Sequence, residues 1–238
     1  MGDFRSLEIF HASYALSIHL THICAISPNT HSERVYCRYM EYTARTFNFA
    51  TLADLSKKQL DVHLELYAGY VKHTNLVREK IAGLADDPEA NALALAELRR
   101  HFAFEFDGMR MHEYYFEQFE GSATPQSEMS ALAEAAEEKY GSYEGLETHV
   151  REVASTRGVG WAVVYYDPIG KTLHTVFTTS HELGQLAGLP IILALDMWEH
   201  AYMVDYAPSE KSHYLDAFFK NLNWSVPEGR FLAAQRNA

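Results

Sequence analysis

The fold of this 238-residue chain is decided by the stretch Asp196-Met197-Trp198-Glu199-His200-Ala201-Tyr202-Met203-Val204-Asp205-Tyr206. The apolar run from Ile191 to Leu195 precedes it and is typical of a buried strand. Asp196 therefore follows a strand, and His200 lies four residues later, near the start of a helix that we expect over 198–206. A carboxylate and an imidazole placed in this way can bind one metal ion, but the bare spacing is common in proteins that bind none.

Two further β-rich segments lie upstream of this stretch. Gly160 to Tyr166 and Thr172 to Thr178 are rich in β-branched and aromatic residues, and the turn sequence Asp167-Pro168-Ile169-Gly170 separates them. With the run at 191–195 they predict a small three-stranded antiparallel sheet. Around the sheet, helices are predicted over 127–140, 142–155 and 211–222.

The N-terminal half has the pattern of long helices. Ser56 followed by Gln59 has the pattern of a capping box, and apolar residues then recur at helical spacing, which predicts a helix over 56–83. A second helical region follows Asp87-Pro88 and carries His112 among aromatic residues on one side. The two helices predict an antiparallel hairpin. The fold class is therefore α+β, an N-terminal long helical hairpin followed by an α/β domain with a small three-stranded antiparallel sheet.

The chain divides into three predicted regions. They are an extension over 1–50, the helical hairpin domain over 51–123 and a C-terminal α+β domain over 124–238. The first region is rich in His, Tyr and Ser and weakly patterned, so we expect a poorly ordered extension, or a start assigned too early with Met40 as the true start. A secretory signal is disfavoured because the usual basic start is missing. We therefore expect a cytoplasmic protein.

Composition excludes several classes of function. Hydrophobic residues make up 47% and charged residues 22% of the chain, which predicts a soluble folded protein. The net charge of -12 argues against nucleic-acid binding, and no apolar run is long enough to span a membrane. The two cysteines, Cys24 and Cys37, both lie in the predicted extension, which excludes a disulfide-built fold and a cysteine metal site in the core.

The stretch that begins at Asp196 closely resembles the D-x-W-E-H-A-[FY]-[FY] signature of the iron/manganese superoxide dismutases. Members of that family take one histidine ligand from each of two long helices, and the segments Leu60 to His63 and Met111 to Phe116 resemble those helices. The similarity covers roughly residues 47 to 232. It includes Tyr140-Gly141-Ser142-Tyr143, Gly160-Trp161-Ala162 and the segment from Tyr214 to Trp224.

The resemblance implies a metal-dependent reaction. It implies that one Mn or Fe ion per subunit is bound by His63, His112, Asp196 and His200. Three imidazoles and one carboxylate, with no thiolate, suit either metal. The substrate implied is superoxide, which is disproportionated to dioxygen and hydrogen peroxide. A homodimer or higher homo-oligomer is also implied.

The resemblance assigns roles to residues around the ion. Glu199 is expected to reach His200 of the partner subunit, with Tyr202 nearby. Tyr70 is expected to gate the substrate and relay protons. The remaining expected residues are the cavity walls Trp161 and Trp198.

His181 stands where manganese-type relatives carry glutamine. We expect its imidazole to donate a hydrogen bond to the metal-bound solvent, with its other nitrogen accepting one from Tyr70 or a water molecule. A histidine there can titrate near neutrality, which predicts an extra pH dependence of activity. Gly108 stands where iron-type members often carry glutamine, so the residues leave iron and manganese both open.

Several alternatives remain open. Tyr70 follows His63 by only seven positions, one fewer than is usual in the family, so His73 is an alternative ligand. Lys211 is the candidate for the basic residue that would steer the anionic substrate. The competing functions are a non-catalytic structural relative of the same fold and a mononuclear oxygenase or hydrolase. The presence of all four ligand types favours the dismutase.

Overall fold

The computed structural model describes residues 40–236. Residues 1–39, with Cys24, Cys37 and most of the predicted extension, lie outside the described residues, so the expectations for that segment and for a cytoplasmic location stay predictions. The described helices and strands follow one another in the order α1 (Lys57–Leu84), α2 (Ala92–Glu117), α3 (Ala131–Tyr140), α4 (Tyr143–Ala154), β1 (Trp161–Asp167), β2 (Thr172–Thr178), β3 (Ile191–Asp196), α5 (Lys211–Asn221) and α6 (Ser225–Arg236).

The helices α1 and α2 pack against each other as the predicted hairpin. The Ser56 side chain caps α1 by accepting a hydrogen bond from the Gln59 backbone N–H at 3.0 Å. α1 continues as regular α-helix to Leu84. Seven residues make about two helical turns, so His63 and Tyr70 lie on the same face of α1. The short spacing between them is therefore compatible with a shared site.

The sheet is antiparallel throughout, with strand order β2-β1-β3, which confirms the predicted three-stranded sheet. β1 is the central strand, and Trp161 pairs with Asp196 of β3 and with Thr178 of β2. Gly160 precedes β1 with φ of 146°, and a Cβ there would lie 1.8 Å from the Thr178 carbonyl oxygen. Only glycine can therefore occupy this position, and it lets the end of the sheet that carries Asp196 close tightly.

The predicted helix over 198–206 is wrong. A single turn of 3-10 helix, Glu199–Ala201, follows β3, and turns complete the segment. Backbone hydrogen bonds within 198–206 form separate turns and not one continuous helix, and side chains accept from two further backbone N–H groups. The Asp196 carboxylate accepts from the Trp198 N–H at 2.8 Å, and the Gln59 amide oxygen accepts from the Val204 N–H at 2.9 Å.

The helix α6 was not predicted from the sequence. Pro227 and Gly229 lie within it and disfavour a helix by propensity. Pro227 lies in the first turn, however, where its missing N–H costs no helical hydrogen bond. Phe231 is fully buried and packs on Tyr166 of β1 at 4.7 Å between ring centroids, so tertiary packing stabilises this helix.

The described segment before residue 51 packs on the helical hairpin. The Tyr42 backbone N–H donates to the Asn75 side chain at 2.9 Å, and the Phe47 ring lies 5.4 Å from the ring of Phe116. Packing thus begins on the N-terminal side of the predicted domain boundary. Among the described helices, none combines the length and apolar character that crossing a membrane requires.

Candidate metal centre

Four side chains from three parts of the fold converge at one buried point. His63 comes from α1, His112 from α2, Asp196 from the end of β3 and His200 from the turn that follows. One donor atom from each lies within 4.8 Å of the others. His63, His112 and Asp196 are at most 1% exposed. The structure therefore brings together the four residues that the sequence predicted as ligands.

The distances between donor atoms suit one ion. Asp196 Oδ2 lies 3.1 Å from His63 Nε2, 3.1 Å from His200 Nε2 and 3.6 Å from His112 Nε2. Nε2 of His112 lies 3.4 Å from Nε2 of His200. Donors that each lie about 2.1 Å from an ion are separated by about 3.0–3.5 Å. The residues present therefore fit a single transition-metal ion.

Surrounding groups orient these donors. The Gly108 carbonyl lies 2.6 Å from His112 Nδ1, which can donate to it and so leave Nε2 for the ion. The Trp198 N–H occupies the other carboxylate oxygen of Asp196, and the Tyr214 hydroxyl donates to the Asp196 carbonyl at 2.7 Å. These contacts hold the donor atoms of His112 and Asp196 in place.

The surroundings of His63, His112 and Asp196 set the protonation states of these three side chains. Burial lowers the pKa of His63 and lowers the pKa of His112 still further, so both imidazoles are neutral. Burial alone would raise the pKa of Asp196, but its hydrogen bonds and electrostatic interactions with the His200 and His63 rings outweigh burial and hold that pKa far below its usual value. Neutral imidazoles beside an ionised carboxylate are the protonation states in which these groups bind metals.

A hydrogen-bonded chain of three side chains adjoins the cluster. The Trp161 indole N–H donates to His181 Nδ1 at 3.0 Å, and His181 Nε2 lies 2.8 Å from the Tyr70 hydroxyl. A neutral imidazole has one N–H, and Nδ1 is already an acceptor, so the proton is on Nε2 and is donated to Tyr70. The expected direction of the bond to Tyr70 is therefore reversed, because His181 donates to the Tyr70 hydroxyl and accepts from Trp161. Both ring nitrogens of His181 are thus occupied, and neither can donate to a metal-bound solvent molecule.

The expected pH dependence from His181 is also revised by its surroundings. Its side chain is fully buried, and burial lowers the pKa of His181 to about 4. It therefore stays neutral near physiological pH. The sequence could not show this, because burial in a wall of aromatic rings is a tertiary property.

The other expected residues lie around this core. The Trp198 ring stacks on His181 at 5.0 Å and on His200 at 6.0 Å, and the Trp161 ring meets the edge of His112 at 5.2 Å. Both tryptophans thus wall the site. Tyr202 stacks on Tyr214, a residue that also holds the Asp196 backbone.

Three predicted residues are not members of the four-residue cluster. Glu199 is exposed. His73, the alternative ligand, is outside the four-residue cluster and pairs with Glu105 on the surface of the hairpin. The Lys211 ammonium donates to the Thr156 carbonyl at 3.4 Å. This contact links Lys211 to the backbone after α4, and its predicted role in steering the substrate stays a prediction.

Sequence reasoning missed the role of Gln59. Its amide nitrogen donates to the His200 carbonyl at 2.7 Å, while its amide oxygen holds Val204. Gln59 is 1% exposed and therefore ties the start of α1 to the turn that carries His200. The capping-box pattern assigned Gln59 to the first turn of α1, with Ser56 as the cap. The Ser56 N–H instead donates to Asp205 at 2.6 Å, which leaves the Gln59 side chain free for the turn that carries His200. A glutamine on the apolar side of α1 was the available signal for this role.

Gly108→Ala should disturb Tyr70 while leaving the ligands in place. A Cβ at position 108 would lie 2.6 Å from the nearest Tyr70 ring carbon, so the ring must move. We expect a loss of about 1–3 kcal/mol in the free energy of unfolding from overpacking. Metal content should be unchanged, since the carbonyl that orients His112 is kept. Denaturant unfolding and elemental analysis measure the two effects.

Gly69→Ala is the matched control, because a Cβ there has no atom within 4 Å. It should stabilise α1 slightly, by about 0.5–1 kcal/mol. Equal stability of the two variants would contradict the proposed clash at position 108.

The fold and the cluster define a metalloprotein with a buried mononuclear site of nitrogen and oxygen donors. Residues 128–230 match the family model described as iron/manganese superoxide dismutases, C-terminal domain. The superoxide dismutase [Fe] of Aquifex pyrophilus is 34% identical over 193 residues, covering 78% of this chain and 88% of that protein. The superoxide dismutase [Mn] of Haloarcula marismortui is 34% identical over 175 residues, covering 71% and 82%. This chain therefore belongs to the iron/manganese superoxide dismutase family.

Proposed function

We propose that this protein is a superoxide dismutase that works with one iron or manganese ion bound by His63, His112, Asp196 and His200. The observation that carries the proposal is the four-donor cluster with the Trp161–His181–Tyr70 chain beside it. Similar proteins are named for iron in one case and manganese in another, so the proposal includes both metals. In the net reaction one superoxide is oxidised to dioxygen, and a second takes up one electron and two protons to give hydrogen peroxide.

A bound iron or manganese ion would supply the alternation between two oxidation states that this reaction requires. The residues of the chain supply position and protons. Because His181 Nε2–H donates to the Tyr70 oxygen, the Tyr70 hydroxyl keeps its own proton available for donation. Burial raises the pKa of Tyr70, so that proton is retained at neutral pH. Tyr70 is therefore the proposed proton donor, and His181 and Trp161 position it.

The test is to make the protein with iron and with manganese available, measure bound metal by elemental analysis, and assay superoxide consumption by each form. We expect about one ion per chain and activity with at least one metal. A fully metallated protein that consumes superoxide no faster than its metal-free form would instead indicate the non-catalytic structural relative.

We further propose that the protein is a homodimer in which Glu199 bonds to His200 of the partner subunit. Glu199 is exposed in a single chain, beside a ligand whose described hydrogen bonds use only Nε2. Metal-bound histidines almost always donate the other ring N–H to a carboxylate, carbonyl or water. In a dimer with a twofold axis, Glu199 of each subunit would supply that carboxylate to His200 of the other subunit.

Glu199→Ala should weaken the dimer and lower metal retention together. Removing one partner of a buried charged hydrogen bond costs about 2–5 kcal/mol of association free energy. Sedimentation at several protein concentrations measures association, with Glu138→Ala, another exposed glutamate, as the control. A wild-type monomer with full activity would rule out the cross-subunit role.

A further inference from the structure

A second group of histidine and glutamate side chains lies on the helical hairpin. Glu105 of α2 faces His73 of α1 and His101, one turn earlier on α2. Glu105 Oε1 lies 2.8 Å from His101 Nε2 and 3.6 Å from His73 Nδ1. The 2.8 Å contact is a direct hydrogen bond, so the His101 ring would move slightly away from Glu105 Oε1 when an ion binds between them. The three side chains therefore join the two helices through one carboxylate oxygen.

The carboxylate itself indicates that a cation belongs here. Glu105 is only 5% exposed, and its second oxygen, Oε2, is buried without a hydrogen-bond partner among residues 40–236. A buried carboxylate oxygen without a partner is costly. A cation bound to both oxygens would satisfy Oε2 and would neutralise the charge.

We propose that His73, His101 and Glu105 form a second metal site that binds a divalent transition ion such as Zn²⁺. Two imidazoles and one carboxylate are donors that zinc accepts with one position left for water. The His73 and His101 side chains are 54% and 53% exposed, so an ion can reach them from solvent and the rings can turn toward it. Bound there, the ion cross-links α1 and α2.

This site is separate from the principal metal centre. None of its three residues belongs to the principal four-residue cluster. The Phe104 ring lies between the two, stacked on His101 at 5.7 Å and packed on His181 at 4.8 Å. The inference goes beyond the proposed dismutase activity, because it holds whether or not the principal site is catalytic.

The experiment starts from protein whose principal site is filled with manganese. Zn²⁺ is added by equilibrium dialysis, and zinc and manganese are both counted by elemental analysis. We expect about one zinc per chain with manganese unchanged, and a rise in melting temperature because the ion binds only the folded hairpin. Co²⁺ in place of zinc should give the visible absorption of a site with imidazole and carboxylate ligands.

The variants His73→Ala and His101→Ala change half-exposed side chains and should fold normally. Each should weaken zinc binding at least about tenfold and abolish the thermal shift, with manganese retained. His149→Ala is the control, since His149 pairs with Glu152 at 3.5 Å on a different helix. Failure of the wild type to bind zinc, or equal binding by the His73→Ala, His101→Ala double variant, would overturn the proposal. Loss of manganese as zinc is gained would show displacement from the principal site and would also count against it.

Discussion

Asp196→Asn should empty the principal metal site and abolish superoxide consumption with it. Asp196 supplies the only negative charge of the cluster, and its Oδ2 lies within 3.6 Å of the ring nitrogens of all three histidines. Loss of an outer hydrogen-bond partner alone lowers metal affinity by about 10- to 100-fold, so loss of the charged ligand should exceed about 100-fold. Elemental analysis of protein made with both metals present measures the effect.

Asp216→Asn is the matched control for that change. Asp216 is an exposed carboxylate that pairs with Arg151 on the surface, so its variant should keep full metal content. Circular dichroism establishes whether each variant is folded. A folded Asp196→Asn protein with one ion per chain would show that Asp196 is not a ligand.

His181→Ala should lower activity by about 100-fold while the metal stays bound. The substitution leaves the buried Trp161 N–H without its acceptor and removes the hydrogen bond to Tyr70. A positioned proton donor contributes about 10²–10⁴-fold to a rate, and Tyr70 would no longer be positioned. The lost acceptor should also cost about 1–3 kcal/mol of stability. Activity, metal content and reduction potential are the measurements.

His181→Gln is the rescuing variant. A glutamine amide can accept from Trp161 through its oxygen and donate to Tyr70 through its nitrogen, as the neutral imidazole does. It should recover most of the activity. A His181→Ala protein with wild-type rate and potential would remove His181 from the proposed proton path.

The pH profile gives a further readout of His181. With a pKa of about 4, His181 does not titrate between about pH 6 and 9, so wild type and His181→Gln should have profiles of the same shape there. The unfolded chain binds a proton at this histidine below its ordinary pKa of 6.5, and the folded protein does not until about 4. Stability from this residue therefore rises with pH between those values and is lost as the pH falls through them.

Much of the fold could be predicted because it depends on local patterns. The helical spacing after Ser56 and the β-rich segments around Asp167 each describe one element and the side that it buries. The helix predicted over 198–206 failed for the converse reason. The Gln59 side chain, from the start of α1, accepts from the Val204 N–H and donates to the His200 carbonyl, and no local pattern records such contacts.

The sequence by itself determined the donors of the metal centre, because the Asp196 to Tyr206 stretch and its two partner helices specify residue types and their order. Tertiary structure alone decided that these donors meet. His63 and Asp196 are 133 residues apart in the chain, and only the packing of α1 and β3 brings them to 3.1 Å. The same packing buries His181 between Trp161 and Tyr70, which sets its tautomer and its charge. Periodicity describes one element at a time, whereas burial, hydrogen-bond direction and pKa depend on what the other elements place around it.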